Sequence, residues 1–424
     1  MAIGEIGVAL NTTVDIDGYF MAKLHHQLRQ EVRTFAESEI ECQIPAMEAS
    51  RSVEVDLARA IASQGWIGVT VDPQYGGMGL GHLAKTIVIE ELSRVSGAMG
   101  AMAQASQLGT AKILHYGNEQ QRRRWLPAVS DGRCLPTIAV TERESGGHVL
   151  GMAATAVRDG DFYILNGRKV FVGNSHIGDL HGTVVRTGRG SGGLSAFLVE
   201  SDSPGFSLAE HEPAMGLSGF SFGELIFDNC RVPAENLLGA EGDGLKVAYS
   251  SSVLYGRPNL AAVSLGIHQA IVDQTVEFTQ RRLRDGKPLS ELPTIAQKLG
   301  QLQSGLMTAR ISLYHAVHML DEGLPCDAEL MNAKLVNVEQ SLDAARTAME
   351  VHAAHGLSAD RKLERFLRDA HHMYAPAGTS DIQRLRLAEV ALGDTKRQWS
   401  ERLSERLRSS SAALRTVSAG YPRR

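Results

Sequence analysis

Near the C-terminal end of the chain, the stretch YAPAGTSDIQR (Tyr374 to Arg384) brings a phenol, a hydroxyl and a carboxylate close together. Such groups move protons. Asp381 lies four positions beyond Ala377 and Tyr374 three before it, and a second phenol, Tyr255, stands beside Gly256 and Arg257 in LYGRPN. A general base must reach the proton it takes, so geometry decides before acidity does. Each of the three has an ordinary alternative as a helix cap, a cofactor contact or a buried phenol. Two histidine pairs, His315 with His318 and His352 with His355, have the i, i+3 spacing of one helix face. No carboxylate or cysteine completes either set, so no metal site is expected. The glycines of YGGMGLG are flanked by helical patterns and fail the strand–helix context of a dinucleotide fingerprint.

These groups need elements to position them, and the composition supplies enough chain. At 424 residues, 43% hydrophobic and 21% charged, the sequence can build two or three domains around a large core. Its formal net charge of -5 offers no general basic face for nucleic acid or anionic membrane. The four cysteines, Cys42, Cys134, Cys230 and Cys326, lack CxxC spacing and suit free thiols in a reducing compartment. Neither a signal-like N-terminus nor an apolar run of about 18 residues is found, so a soluble cytoplasmic protein is expected.

Periodicity changes twice along the chain. From residues 19 to 134 the apolar spacing is helical, as in LHHQLRQEVRTFAESEI and LAKTIVIEELSRV. From 135 to 236 it becomes short β-type runs, among them TIAVTE, FYILNGRKVFVG and GELIFDNCRV, separated by turn signals. From 237 to 395 the helical period returns in segments long enough for a bundle. Apolar residues on more than one bundle face predict burial against neighbouring subunits. Residues 1–18 read as an N-terminal tail and 396–424, rich in Arg and Ser, as a mobile C-terminal one. There is no internal repeat.

The strings GWIGVTVDPQYGGMGL, YGNEQQRRRWLPAVSDG, AVTERESGG, YILNGRKVFVGN, ELIFDNCRVPAENLLG, GRPNLAAVSLGI and GTSDIQR occur in the order and spacing of the acyl-CoA dehydrogenase family. The chain resembles that family from about Tyr19 to Gly393. The resemblance implies an α+β fold, with an N-terminal α-helical domain, a central β-barrel or sheet domain and a C-terminal four-helix bundle. It also implies FAD held between the β-domain and the bundle, a homotetramer, and an acyl-CoA or acyl-carrier-protein substrate. In such enzymes a carboxylate takes the α-proton of an acyl thioester while the β-hydrogen leaves as hydride to the flavin.

The resemblance assigns roles residue by residue. Val140 and Thr141 would hold the isoalloxazine edge, and Glu142 matches the flavin-binding turn. Gly147 and His148 replace the usual Ser and Asp, leaving backbone N–H groups of Gly146 and Gly147 to face the pyrophosphate. Phe171 stands where the family commonly has Trp over the flavin, and Gly173 replaces a Thr whose hydroxyl would bond N5. Arg282 is kept for the pyrophosphate, whereas Asp285 replaces an aromatic. Glu350, with Ala353 and Ala354, replaces a Gln and a glycine pair. Thr379 and Asp381 complete the cofactor contacts, Arg257 is the substrate-side arginine, and Leu217 takes the place of an Arg found in many relatives.

The departure is the base. Most relatives place a glutamate just before GT, where this chain has Ala377; a minority place it before the motif arginine, where this chain has Gly256. Asp381, Tyr255 and Tyr374 are the substitutes at hand. Three functions follow as expectations. The first is an FAD-dependent oxidoreductase of acyl thioesters in specialised metabolism, whose substrate needs little help from a base and whose electron acceptor or reductase the sequence does not identify. The second is a flavin-dependent monooxygenase or oxidase on the same fold. The third is a non-catalytic subunit that pairs with an active one.

Overall fold

A computed structural model describes residues 17–358, 362–394 and 398–402. Within them the chain forms the expected succession of helices, sheet and helices. The greater part of both expected tails, residues 1–16 and 403–424, lies outside the described residues.

The first helical unit comprises α1 (Asp17–Phe20), α2 (Lys23–Phe35), α3 (Ile44–Ser50), α4 (Val55–Ser63), α5 (Gly81–Val95), α6 (Gly97–Tyr116) and α7 (Glu119–Ser130). Local signals fix several starts. Ser96 accepts the Met99 amide at the head of α6, and Asn118 and Gln121 form a reciprocal capping box at the head of α7. α2 buries one stripe, Leu28 and Val32 with Arg29, whereas α5 and α6 are buried nearly all round. Helices without an outer polar face are enclosed on every side. α6 lies so close to the sheet that a Cβ on Gly109 would stand 2.3 Å from the Pro136 carbonyl oxygen.

The central sheet contains β1 (Pro136–Ala139), β2 (Thr155–Asp159), β3 (Phe162–Gly173), β4 (Leu180–Arg186), β5 (Leu194–Glu200), β6 (Phe206–Leu208), β7 (Phe222–Pro233) and β8 (Leu237–Leu238). Its order is β6-β7-β3-β2-β4-β5-β8, with β1 beside β4 in parallel. β3 begins in strict alternation, burying Tyr163 and Leu165. Its register with β7 then shifts between Lys169 and Val172. This bulge turns Phe171 outward at φ 57°.

The second helical unit contains α8 (Gly244–Ser251), a π-turn over Ser252–Gly256, α9 (Arg257–Arg281), α10 (Pro293–Asp321), α11 (Asp327–His352), α12 (Lys362–His372) and α13 (Ser380–Ala391). α9 packs on α5 and α6 as well as on α10 and α11, so the two helical units share one apolar core while the sheet keeps a smaller one. A buried polar knot ties three helices. Glu90 of α5 accepts from Arg310 (2.6 Å) and Tyr314 (2.7 Å) of α10, and Arg29 of α2 donates to the Tyr314 hydroxyl.

Residues 398–402, read from sequence as part of the mobile tail, are docked. Asp327 at the start of α11 accepts from the Trp399 amide (2.7 Å), the Ser400 amide (2.9 Å) and the Ser400 hydroxyl (2.7 Å). The hydroxyl in turn accepts from the Cys326 amide, and Trp399 stacks on Tyr249 of α8. The correction has a physical cause: polar side chains that look tail-like alone satisfy the free amides at a helix start. At the other extreme, Ile382, Leu385 and Val390 of α13 and the following Leu392 are exposed. No described helix is long and apolar enough to cross a membrane.

Candidate active site

The turn between α12 and α13 carries Ala377 at φ 54° and Gly378 at φ 91°. An alanine in the left-handed region is held there by its surroundings, since the conformation is unfavourable for any residue with a Cβ. The restraints come from below. Lys334 of α11 is fully buried and donates to the carbonyls of Tyr374 (3.0 Å) and Gly378. Gln383 of α13, also fully buried, donates to the carbonyls of Ala377 (3.1 Å) and Gly378 (3.0 Å). Its own Oε1 accepts from Arg257 Nε at 2.8 Å.

Arg257 therefore reaches the turn from the start of α9. It is buried, its Nη1 has no partner among the described residues, and burial pulls its guanidinium down to about 10. Burial likewise lowers the Lys334 ammonium to about 7, with Arg257 adding repulsion. Two basic side chains, an arginine and a lysine whose charge burial disfavours, thus sit beneath the backbone of the turn.

The central geometric fact joins positions that are far apart in sequence. A Cβ built on Gly256 would lie 3.2 Å from the Ala377 Cβ. The two places where a glutamate was sought face each other across one space, and neither side chain is ionisable.

The three substitutes have different surroundings. Asp381 is exposed in the first turn of α13, where its charge suits the helix N-terminus, and pairs with Arg384 at 3.3 Å. Tyr374 is 39% exposed. Tyr255 is buried in the π-turn, and its hydroxyl lies 3.1 Å from His115 Nε2. Lys85 stands 4.2 Å from the Tyr255 ring centroid and 3.1 Å from His82 Nδ1. Burial pushes the Tyr255 phenol well up, so it keeps its proton at neutral pH. Its surroundings are those of a buried, hydrogen-bonded phenol.

On the sheet side, Glu142 is a tie. Its carboxylate accepts from the amides of Ala153 (2.6 Å) and Ala154 (3.0 Å) and from buried Lys169 (2.7 Å). Burial pulls it upward, but the Ala153 amide and Lys169 win and hold it below the usual range. Lys169 also donates to the Val140 carbonyl, and the Val170 amide to that of Thr141. The turn is thereby laid along β3, and Gly146 and Gly147 beyond it are open, with nothing within 4 Å of an added Cβ. Phe171 is 62% exposed and stacks on Phe222 at 5.4 Å.

Gly173 is more than a missing hydroxyl. A Cβ there would stand 3.0 Å from the Phe220 ring and 3.1 Å from the Ala105 Cβ of α6. The Phe220 loop is itself fixed to α12, because the Leu217 amide donates to Asp369 Oδ1 (2.6 Å) and the Gly216 amide to His372 Nε2 (3.1 Å).

The remaining positions lie at the end of the bundle. Arg282, just after α9, is exposed and forms no ion pair among the described residues; Asp285 follows at φ 52° in the short ribbon Leu283–Arg284 and Lys287–Pro288. Glu350 is tied to Lys298 of α10. Ala353 adopts φ 49°, ψ -131°, a backbone shape suited to glycine, and Ala354 is exposed. Thr379 caps α13, accepting from the Ile382 amide at 3.4 Å. His352 stacks on Phe278 at 4.1 Å, with His355 at 5.6 Å, while His318 meets Phe20. Sequence reasoning missed Lys334 and Phe220. The lysine sits on a helix face that also buries Asp327, Asn337 and Ser341, so no local pattern singled it out.

Comparison with known proteins places this fold in a family. Residues 23–133, 137–230 and 242–392 match the models for the N-terminal, middle and C-terminal domains of acyl-CoA dehydrogenase. An acyl-CoA dehydrogenase of Bacillus subtilis (strain 168) is 35% identical over 371 residues, covering 87% of this chain and 98% of the relative. The structure of butyryl-CoA dehydrogenase from Megasphaera elsdenii superposes with a TM-score of 0.85 at 27% identity, over 88% of this chain and 99% of that one. That of a prolyl acyl carrier protein oxidase, AnaB, does so at 0.83 and 28%, over the same shares. By domain order, full-length similarity and fold, the chain belongs to the acyl-CoA dehydrogenase family of oxidoreductases.

Proposed function

We propose that the protein is an FAD-dependent oxidoreductase of acyl thioesters, acting on acyl-CoA or an acyl carrier protein in specialised metabolism, on a substrate acidic enough to release its α-proton to solvent with little help from a carboxylate base. The observation that carries this is the meeting of Gly256 and Ala377 over a turn held from beneath by Lys334, Gln383 and Arg257. The scaffold of a proton-abstracting site is kept while the base is absent from both of its places. A site abandoned outright has no use for two buried basic side chains and a strained alanine.

The residues present fit FAD. Phe171 offers an exposed aromatic face, the Gly146–Gly147 turn has open backbone, and Arg282 is a cation with no ion pair among the described residues. Such a guanidinium suits a pyrophosphate. When bound, FAD supplies the two-electron acceptor. The chain's own part is to orient the thioester beside Ala377, with Arg257 and Lys334 placing positive charge under the turn. The exposed apolar residues of α13 support a homotetramer, in which a neighbour covers them. Free cysteines are in keeping with the cytoplasm.

The Gly173–Phe220 contact favours a second reading, an oxidase or monooxygenase, because a ring stands where the family commonly has a hydroxyl donor. Anaerobic mixing of the FAD-loaded protein with acyl thioesters separates the two. Bleaching by substrate alone supports oxidation of the acyl group, with rapid reoxidation by added oxygen marking an oxidase and slow reoxidation a dehydrogenase; bleaching that needs NAD(P)H and a reductase supports oxygenation. Protein that neither carries nor takes up FAD refutes both and leaves a non-catalytic subunit. Ala377→Glu should create or raise conventional acyl-CoA dehydrogenation, since a general base contributes about a hundredfold to ten-thousandfold.

A further inference from the structure

Residues 398–402 lie beyond residues 242–392, the part matched to the family's C-terminal domain, so the resemblance assigns them no role. Their docking is nonetheless specific. Besides the three bonds that Asp327 accepts from them, its own amide donates to Gln398 Oε1 at 2.9 Å, and the Cys326 amide donates to Ser400 Oγ at 3.0 Å. Ser400 and Cys326 are fully buried. The Trp399 ring lies parallel to that of Tyr249 at 6.4 Å, and the Arg402 guanidinium stands 4.5 Å from the Trp399 ring centroid. The segment therefore joins the start of α11 to α8.

Those two helices lead to the two sides of the site. Lys334, which holds the Tyr374 and Gly378 carbonyls, stands seven residues along α11 from Asp327, about 10 Å. Tyr249 stands seven residues before Gly256, on the continuous path from α8 through the π-turn into α9. Such turns are rare inside α-helices and are often found at functional sites. A crevice of about 70 Å³ adjoins this path, lined by Trp399 and Arg402 of the segment together with His115, Lys246, Ser250 and Leu254. Leu254 belongs to the π-turn, and His115 meets the hydroxyl of Tyr255 in the same turn. Charge links the anchor to the site as well, because burial draws the Arg257 guanidinium down and the Asp327 carboxylate opposes that pull. We infer that residues 398–402 are a clasp for the acyl site: docked, they hold α8 and its π-turn against α11 and keep Gly256 and Arg257 opposite the Ala377 turn; released, they open the crevice and free the π-turn to move. Trp399 and Ser400 are thus positioning residues. The inference rests on the thioester reading above for what the site does. Ordering five residues costs about what their bonds return, so a single substitution suffices to open the clasp.

The test follows amide exchange in the full-length protein with FAD added, beside anaerobic bleaching by butyryl and octanoyl thioesters of CoA and of an acyl carrier protein. Exchange decides the inference, and bleaching decides the reading beneath it. Trp399→Ala should speed exchange at residues 252–257 and 374–383 by about tenfold, the scale of a lost ring contact, while β3 and α7 keep their rates. Trp399→Phe keeps a ring on Tyr249 and should stay within about twofold of the parent. Ser400→Ala takes the buried hydroxyl from Asp327 and should repeat the effect, so it decides if Trp399→Ala fails to fold. In protein that is bleached, both alanine variants should lower kcat more than they raise KM, because they misplace the site and remove no substrate contact. Faster exchange confined to residues 326–330 and 398–402, faster exchange throughout the chain, an unchanged kcat, or the same loss in Trp399→Phe overturns the inference. Protein that shows the local effect yet is bleached by none of the thioesters keeps the clasp and loses the thioester reading.

Discussion

Gly173→Thr restores to β3 the residue type that the family commonly carries, and the structure sets its cost. Its Cβ would arrive 3.0 Å from the Phe220 ring and 3.1 Å from the Ala105 methyl. The Phe220 contact is the far edge of a ring and can give way, but Ala105 sits on buried α6 and cannot. Overpacking of this kind costs about 1–3 kcal/mol. Phe220→Leu alone removes ring atoms from a half-buried position and should cost about 1 kcal/mol, the centre of the usual range for point substitutions. If the ring shares in crowding position 173, the two changes partly relieve each other and the double variant is more stable than the sum predicts by about 0.5–1 kcal/mol, the Ala105 contact remaining. Denaturant midpoints for the four proteins, measured at matched concentration, give that coupling directly. A coupling below about 0.3 kcal/mol would mean that Phe220 and position 173 do not share the space. In the FAD-loaded forms only the double variant should gain a usable hydroxyl at 173, seen as a shift of the flavin absorption band that Gly173→Ala/Phe220→Leu does not show.

Three further outcomes are expected. Asp369 is fully buried, and burial raises its carboxyl to about 6 from 3.8, so the folded protein keeps a proton that the unfolded chain releases. The stability this gives is complete below about pH 4 and lost as pH rises through 6, about 3 kcal/mol in all. Asp369→Asn keeps an acceptor for Leu217 and should flatten that fall, so an unchanged slope between pH 4 and 7 refutes the assignment. Arg282→Ala should raise the FAD dissociation constant while leaving the apoprotein's melting temperature alone, because the ion pair exists only in the bound state; equal affinity removes Arg282 from the site. Asp327→Ala should release residues 398–402. Three bonds to a charged acceptor contribute roughly 5–9 kcal/mol against roughly 5–10 for ordering five residues. Faster amide exchange there and altered Trp399 emission would report the release.

The order of helices and sheet was legible because apolar period changes sharply near Leu135 and again near Leu237, and period is set by local geometry. The turn at Ala377 was legible because GTSDIQR is a compact motif whose threonine caps the next helix. What sequence did not disclose is who supports whom. Lys334 looks like one more helix charge until α11 packs it under the Tyr374 and Gly378 carbonyls. Gly173 looks like a plain deletion of a hydroxyl until the loop from Met215 to Phe220 brings a ring beside it. Tyr255 and Asp381 were equally plausible acids or bases by type; one is buried in a polar cluster, the other paired with Arg384 in the open. Such distinctions arise from contacts between distant segments, which no local pattern encodes.

The closeness of Ala377 to Gly256 makes the two positions rivals for a single volume. At 3.2 Å a second Cβ is tolerated only if its neighbour yields by a few tenths of an ångström, so a long side chain entering from the helix displaces one entering from the turn. Glutamates at both would also force two like charges together, and such pairs hold one proton between them. The second would then be a proton store rather than a second base. A glutamate could therefore enter that volume from the turn or from the helix, but not from both at once.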